Sequence, residues 1–453
     1  LDNMKNKLII YELNELPRKL LNYYIRIKPY SNFSKFKEYG CDLNTYTTDV
    51  GELHPWSTWP TFYRGVDNSI HKITFLNQER EIDKKYPPIW EILLKQNFSI
   101  GIFGSLQSYP PLIDKNVKFY LPDTFAPNYD AHPKDLETFQ KFNLKIVSNN
   151  SGEIRSIRIL EIKYFLNCIL KKIIGFKSIA KIIIQILKEK INKKHSRRRS
   201  LIQPLLTFDI YYKNLKKYKP DFSTFFTNHL AGMMHYYWLD VFPNDFKNPY
   251  RKKSLFNKKS VIKALDIADK QIGLLMKFAE ENSYQLWVAS SMGQKAIERI
   301  KKQKLFLRDF KKILSILKLD PQKYKQLPSM YPDINIESNT KENLEVLTKK
   351  FLEIQFPNKT SIFKIRYKKN LKQINFIINA CDKKEDFLFI KDKKISTNSL
   401  GLEFGYDDQG TGYHSPNGVL LIHGRNSKNI FGKIKNIDTK DIYGLIKKIF
   451  EIK

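Results

Sequence analysis

Residues 285–294 read QLWVASSMGQ. The apolar part is too short for a helix and ends on small residues and a glycine. It reads as a buried strand of a mostly parallel sheet, running into a tight turn. Three other stretches have the same form. KLIIYEL (7–13) is an apolar run followed by Asn14 and Glu15, and DFSTFFTNHL (221–230) is a strand that ends in a polar loop. PPIWEILLKQNFSIGIFGS (87–105) reads as a helix and then a strand at Phe98–Phe103. Helical patterns at roughly 16–38 and 253–282 lie between such runs. Strand and helix therefore alternate, which predicts an α/β fold with a mostly parallel central sheet flanked by helices. In an open sheet of this kind ligands sit outside the carboxyl ends of the strands. Polar residues gather at such ends at 12–15, 227–235 and 290–294, with 54–61 as a fourth group.

The rest of the chain divides around that core. From 140 to 215 it is helical and basic, which predicts an insertion or cap; from 300 to 400 it reads as a small mixed α+β subdomain, with QINFIINA (373–380) and DFLFIK (386–391) expected to pair as strands. The core is then assigned to 1–139, 216–299 and 401–453. No apolar run reaches the roughly 18–20 residues that span a bilayer. The N-terminal stretch reads as a first strand and not as a secretion signal. Three widely spaced cysteines, Cys41, Cys168 and Cys381, form neither a disulfide framework nor a metal knuckle, so a reducing cytoplasm is the expected compartment. The net charge of +33 has two readings: lysine-rich composition throughout, or an anionic partner. No RNA-recognition, zinc-finger or helix-turn-helix signature points to nucleic acid. The local basic cluster at 164–199 is more specific. Phe165, Ile169, Ile173, Ile182 and Leu187 recur at helical spacing with lysines beside them, and KKHSRRR follows. Such a helix suits an anionic membrane surface, with the protein peripheral at the inner face, or else a cap or dimer face.

Taken in order, LIIYELNE, PWSTWPT, FFTNHLAGMMHYYW, WVASSMGQ and GYHSPNGVLLIHG resemble the motif series of the alkaline phosphatase superfamily, in particular its type I phosphodiesterase/nucleotide pyrophosphatase branch. The resemblance covers about 7–105, 220–294 and 405–425. It implies a phosphodiester hydrolase or transferase with a Thr or Ser nucleophile and two metal ions. The ligand pattern departs from the family. Asn14 stands where the family has its first Asp, and Ser291-Met292 stand where it has Asp-His. The Asp before the central His becomes Asn228 if strand ends are matched, or Ala231 counting back four residues from His235. Two divalent ions need several carboxylates to offset their charge, and Asn, Ser and Met are poor zinc ligands. The resemblance therefore implies at most one divalent metal such as zinc, with His229, His235 and His414 as the available ligands, or none.

The resemblance places Thr58 as nucleophile with Ser57 as its neighbour alternative, and either residue equally suits a helix N-cap. His235 and His414 are the remaining catalytic candidates. Asn14, Asn228, His229 and Ser291 are expected to orient or hydrogen-bond a substrate, and Arg64 to pair with a phosphate or with a surface acid. Glu15 reads as a charge in the first turn of the next helix. The expected substrate is anionic: a small molecule, a lipid-linked saccharide or a phospholipid head group. The alternative is a catalytically inactive relative that binds or scaffolds in surface-polysaccharide assembly.

Overall fold

A computed structural model describes residues 6–148, 174–249, 251–298, 303–367, 372–381, 383–405, 410–424 and 427–452, together with 163, 166, 167, 169 and 170. Of the basic cluster expected at 164–199, residues 164, 165, 168 and 171–173 lie outside the described residues, as does Cys168.

Ten strands position the site. They are β1 (Leu8–Leu13), β2 (Cys41–Tyr46), β3 (Ile100–Phe103), β4 (Val117–Leu121), β5 (Phe222–Thr227), β6 (Gln285–Ala289), β7 (Gly293–Ala296), β8 (Gly412–Ser415), β9 (Asn417–His423) and β10 (Asn436–Asp438). Eight of them form one sheet in the order β10-β2-β9-β6-β1-β5-β3-β4. β6, β1, β5, β3 and β4 pair in parallel, and β9 runs against both β6 and β2. The central strand β1 is buried on both faces at all six residues. Successive side chains of a strand point to opposite faces. Accordingly Ile9, Tyr11 and Leu13 join one core cluster, while Leu8 and Ile10 join the other. QLWVA and LIIYEL thus form the middle of a doubly covered α/β sheet. The short pair β7 and β8 stands beyond its carboxyl edge.

The helices that matter below are α1 (Arg18–Ile27), α2 (Pro55–Arg64), α3 (Phe176–Ile191), α4 (Gln203–Tyr218), α5 (His229–Val241) and α6 (Leu255–Asn282). Phe208, Tyr211 and Leu215 of α4 are buried in the same cluster as β5, so the basic region is packed onto the core on this side. Residues between Leu305 and Leu402 share a third hydrophobic cluster and fold mainly into antiparallel sheets. The expected pairing of 373–380 with 386–391 does not occur. Gln373–Ile378 pairs with Asp333–Ser338 and Phe363–Tyr367, whereas Phe387–Ile390 turns tightly through Lys391 onto Lys393–Ser396. The left-handed backbone of Lys391, with φ of 54°, makes the nearer hairpin available.

One core residue is a carboxyl. Glu12 is fully buried, and Tyr63 Oη and Ser105 Oγ both donate to its Oε1 at 2.6 Å. Burial pushes it up to about 8, against the lowering effect of hydrogen bonds from Ser105, Tyr63 and Thr224. The folded chain keeps this proton between pH 4.5 and about 8, where the unfolded chain sheds it. Stability from this group is therefore full below pH 4.5 and falls by up to about 1.4 kcal/mol per pH unit until about pH 8. Glu12→Gln, which cannot ionise, is expected to gain on the native protein steadily across that window. Urea unfolding at three pH values checks this; parallel pH profiles for the two proteins would refute it.

Candidate functional site

β1 delivers Leu13, Asn14 and Glu15 to the carboxyl edge, where the Asn14 amide is held by Thr227 O at 3.1 Å. Glu15 then takes φ of 62°, the left-handed region that a bulky residue rarely adopts. Strain of this kind, about 1–3 kcal/mol, persists where the surroundings fix a side chain for a purpose. Glu15 is not in the first turn of α1. It is 2% exposed and turned inward, and Pro17 is the residue that caps the helix.

Its carboxylate is surrounded by donors. Asn14 Nδ2 donates to Oε1 at 2.9 Å and Gln294 Nε2 donates to Oε2. His235 Nε2 stands 3.1 Å from Oε2 and His414 Nε2 stands 3.5 Å from Oε1. Burial alone would raise the carboxyl, but His414 and His235 hold it far below the usual carboxylate range. Glu15 is therefore an ionised, buried acid.

The two histidines arrive from separate elements. α5 carries His235 and departs from helical geometry at Tyr237. Thr411, in the loop before β8, bonds to the backbone around this break: its amide donates to His235 O at 2.7 Å and its hydroxyl to Tyr236 O at 3.1 Å. The next residue, Gly412, offers its carbonyl to His235 Nδ1 at 2.9 Å. β8 then pairs with β7 so that His414 lies opposite Gln294. Gly412 must approach α5 closely: a Cβ there would stand 2.5 Å from Met234 O. Gly412→Ala is expected to push the loop off α5, lose the His235 Nδ1 contact and lower thermal stability. Differential scanning calorimetry and the His235 imidazole NMR resonances check this; an unchanged His235 environment would refute it.

The hydrogen count at His235 is informative. A carbonyl only accepts, so Nδ1 carries the hydrogen. Nε2 then faces a carboxylate oxygen with a lone pair unless a proton or a cation lies between them. An Nδ1–H bonded to a backbone carbonyl is the outer contact that turns Nε2 of a histidine toward a metal. Glu15, His235 and His414 offer ligand atoms that all lie within 4.8 Å of one another, and they are the one such group of three among the described residues. Two imidazoles, one carboxylate and an open position suit a single zinc ion. The residues present fit one divalent cation.

His229, expected as the third ligand, does not join them. Its Nε2 donates to Ala264 O at 3.0 Å and its Nδ1 accepts from Thr227 Oγ1 at 2.7 Å. Burial lowers its pKa to about 4, so it is a neutral core histidine with both nitrogens engaged. Arg64 is also elsewhere. It is buried with Nε 3.0 Å from Asp83 Oδ1, so its charge is already met by an acid. Asn228 is exposed and accepts from Asn14 Nδ2 at 2.7 Å, while Asn14 Oδ1 accepts from the Trp59 indole at 2.9 Å. Asn14 thus orients Glu15 from a closed network.

Thr58 and Ser291 meet each other. Their hydroxyls are 2.7 Å apart, both residues are 0% exposed, and so is Met292. The place that the motif order assigns to a nucleophile and a metal pair is closed by direct side-chain contact. Ser57, one residue earlier, is different: its buried Oγ has no hydrogen-bond partner. Neither nitrogen of His54 has one, nor does His414 Nδ1 or Gln294 Oε1. Buried polar atoms are normally satisfied, and a local group of exceptions marks a place for water, an ion or a ligand.

His54 precedes Pro55 in extended backbone, stacks on Trp56 at 4.4 Å and meets the His414 ring edge-on at 5.6 Å. Burial lowers its pKa, more than Glu52 raises it. Glu52 Oε2 lies 3.7 Å from His54 Nε2, an ionic contact too long for a hydrogen bond. Tyr413 Oη donates to the same carboxylate and Arg366 stands 3.7 Å away. His54, and after it Tyr413 and Arg366, keep the Glu52 carboxyl down to about 2 against the raising effect of burial.

Sequence reading missed Glu15, His54, Glu52 and Gln294. A signal for Glu15 was present: Pro17 disfavours helix at Leu16, so α1 could not have enclosed Glu15 in its first turn.

No protein-family model matches the chain and no curated protein matches it. Among solved structures it is similar to murine ectonucleotide pyrophosphatase/phosphodiesterase 5 in complex with AMP, at 12% identity over 99% of this chain and 96% of that chain, TM-score 0.41. The human protein of the same name gives 11% identity, the same coverages and TM-score 0.40. Phosphonoacetate hydrolase from Sinorhizobium meliloti gives 10% identity over 98% and 96%, TM-score 0.45. Likeness this distant assigns no residue a role.

Proposed function

We propose that this chain is a phosphodiesterase-like hydrolase or transferase that works with one divalent cation held by Glu15, His235 and His414. The carrying observation is the convergence of those three ligand atoms within 4.8 Å, with His235 Nδ1 fixed on the Gly412 carbonyl. A bound cation would act as a Lewis acid toward a phosphoryl oxygen. Glu15 contributes a buried negative charge of the kind such an ion requires. Asn14 and Gln294 hold that carboxylate in place. Ser57 is the hydroxyl left open for attack on phosphorus, and His54 stands one helical turn before it. A buried histidine kept neutral can take the hydroxyl proton as the Ser57 Oγ–P bond forms, and return it to the ester oxygen as the P–O bond to the leaving alcohol breaks. The substrate class this suits is an anionic phosphate ester, with a phospholipid or lipid-linked saccharide as its natural form.

Turnover of bis(4-nitrophenyl) phosphate that depends on added zinc and disappears in His235→Ala tests the reading. A second reading, an inactive binding or scaffold protein, is favoured by the closure of Thr58 against Ser291. It predicts saturable binding of a phosphate ester with no turnover at any zinc concentration.

A further inference from the structure

A groove lies between α3, α4, α6 and the end of α1, and shares no lining residue with the candidate centre. It measures about 800 Å³. Its lining is largely apolar: Phe208 and Ile267 are buried at its base with Leu205 and Ile262 beside them, and Ile184 and Leu274 stand half-exposed at its edge. Its rim is cationic. Lys181, Lys188, Arg198, Lys258, Lys259, Lys263 and Lys270 line it against two carboxylates, Asp209 and Asp266. Asp266 already accepts from Tyr24 and Lys28, and Asp209 from Ser178. The lining cations therefore outnumber free counter-charge. Burial first, and then the nearby Arg198 and Lys188, push the Lys263 pKa down.

α3 has a second feature. Ile179 and Ile182 pack against the main core. On its outer side Phe176, Ile183, Leu187 and Ile191 are between 52% and 91% exposed. Their spacing of seven, four and four residues places them in one stripe. Monomeric soluble proteins rarely leave such a stripe beside a cationic rim without a use for it. A second copy of this chain suits the face poorly, since a symmetric contact would set lysines against lysines.

We propose that this groove seats an acyl chain of an anionic lipid, with the lysine and arginine rim on its phosphate and the outer stripe of α3 in the bilayer surface. An apolar floor takes the hydrocarbon chain, the surplus cations take the head group, and the exposed stripe lies where the rest of the bilayer would be. The segment Lys193–Leu201 connects the groove to the centre: Arg198 lines the groove, and Arg197 lies 3.9 Å over the ring of Tyr236, the neighbour of His235. The inference stands on the groove alone and does not require the centre to be catalytic.

Native mass spectrometry of the full chain with dioctanoylphosphatidylglycerol below its micelle concentration tests it. Dioctanoylphosphatidylcholine and glycerol 3-phosphate are the comparison arms. The expected result is one phosphatidylglycerol per chain, at least roughly tenfold weaker binding of phosphatidylcholine, and no adduct with glycerol 3-phosphate alone. Lys188→Glu with Lys263→Glu, and separately Ile184→Asp, alter exposed side chains and should each remove the adduct while leaving circular dichroism unchanged. Equal binding of both lipids, full retention of the adduct in these variants, or no lipid adduct at all would overturn the proposal. Because the readout needs neither zinc nor turnover, failure here is separable from failure of the catalytic reading.

Discussion

Glu15→Gln is expected to abolish the proposed stoichiometric zinc binding, with affinity falling by at least roughly 100-fold, and to take zinc-dependent phosphodiester turnover to background. The expected loss exceeds the 10–100-fold typical of removing an outer contact, because the carboxylate would itself be a ligand and is the acid of the Glu15, His235 and His414 group. The substitution keeps the shape of the side chain. It replaces an ionised oxygen with an amide that faces the Asn14 and Gln294 amides and two imidazole nitrogens, so charge and acceptor capacity are lost together. His229→Gln is the informative control. His229 has both nitrogens bonded inside the core, so its replacement lowers stability yet leaves zinc affinity within about threefold, under 1 kcal/mol. Isothermal titration calorimetry of the two variants checks both statements; equal loss in His229→Gln would restore the three-histidine site.

Ser57→Ala and Thr58→Val separate in opposite directions. Ser57→Ala is expected to keep the fold, since its hydroxyl has no hydrogen-bond partner, and to lower the proposed turnover by roughly 100-fold or more. Thr58→Val removes one member of a buried pair with Ser291 and costs about 1–3 kcal/mol of stability. Its turnover is expected to stay within about threefold, because that hydroxyl is already engaged by Ser291. Thermal unfolding and steady-state kinetics read the two effects. A Thr58→Val variant that folds well and is inactive would return the nucleophile to the position that motif order assigns it.

The fold was legible because its central strands are short apolar runs with polar ends, as in LIIYEL and QLWVA. That pattern reports burial on both faces directly. The gathering of polar residues at carboxyl ends was legible for the same reason, and His235 and His414 do meet. What could not be read was the partner set. Whether His229 or Glu15 stands with them depends on which side of the strand end each faces. The left-handed turn at Glu15 and the Thr227 and Ala264 contacts of His229 decide that, and neither follows from residue order. Likewise the motif order points to Thr58, with Ser57 as its neighbour alternative. Only the packing of α2 against β6 and its turn shows that Ser291 has taken one hydroxyl and left the other.

Zinc-edge anomalous diffraction from zinc-soaked crystals is the decisive measurement for a one-ion centre. One ion per chain is expected, bonded to Glu15, His235 and His414, with no density between Thr58 and Ser291. Two ions, or a single ion on the Thr58–Ser291 side, would contradict it.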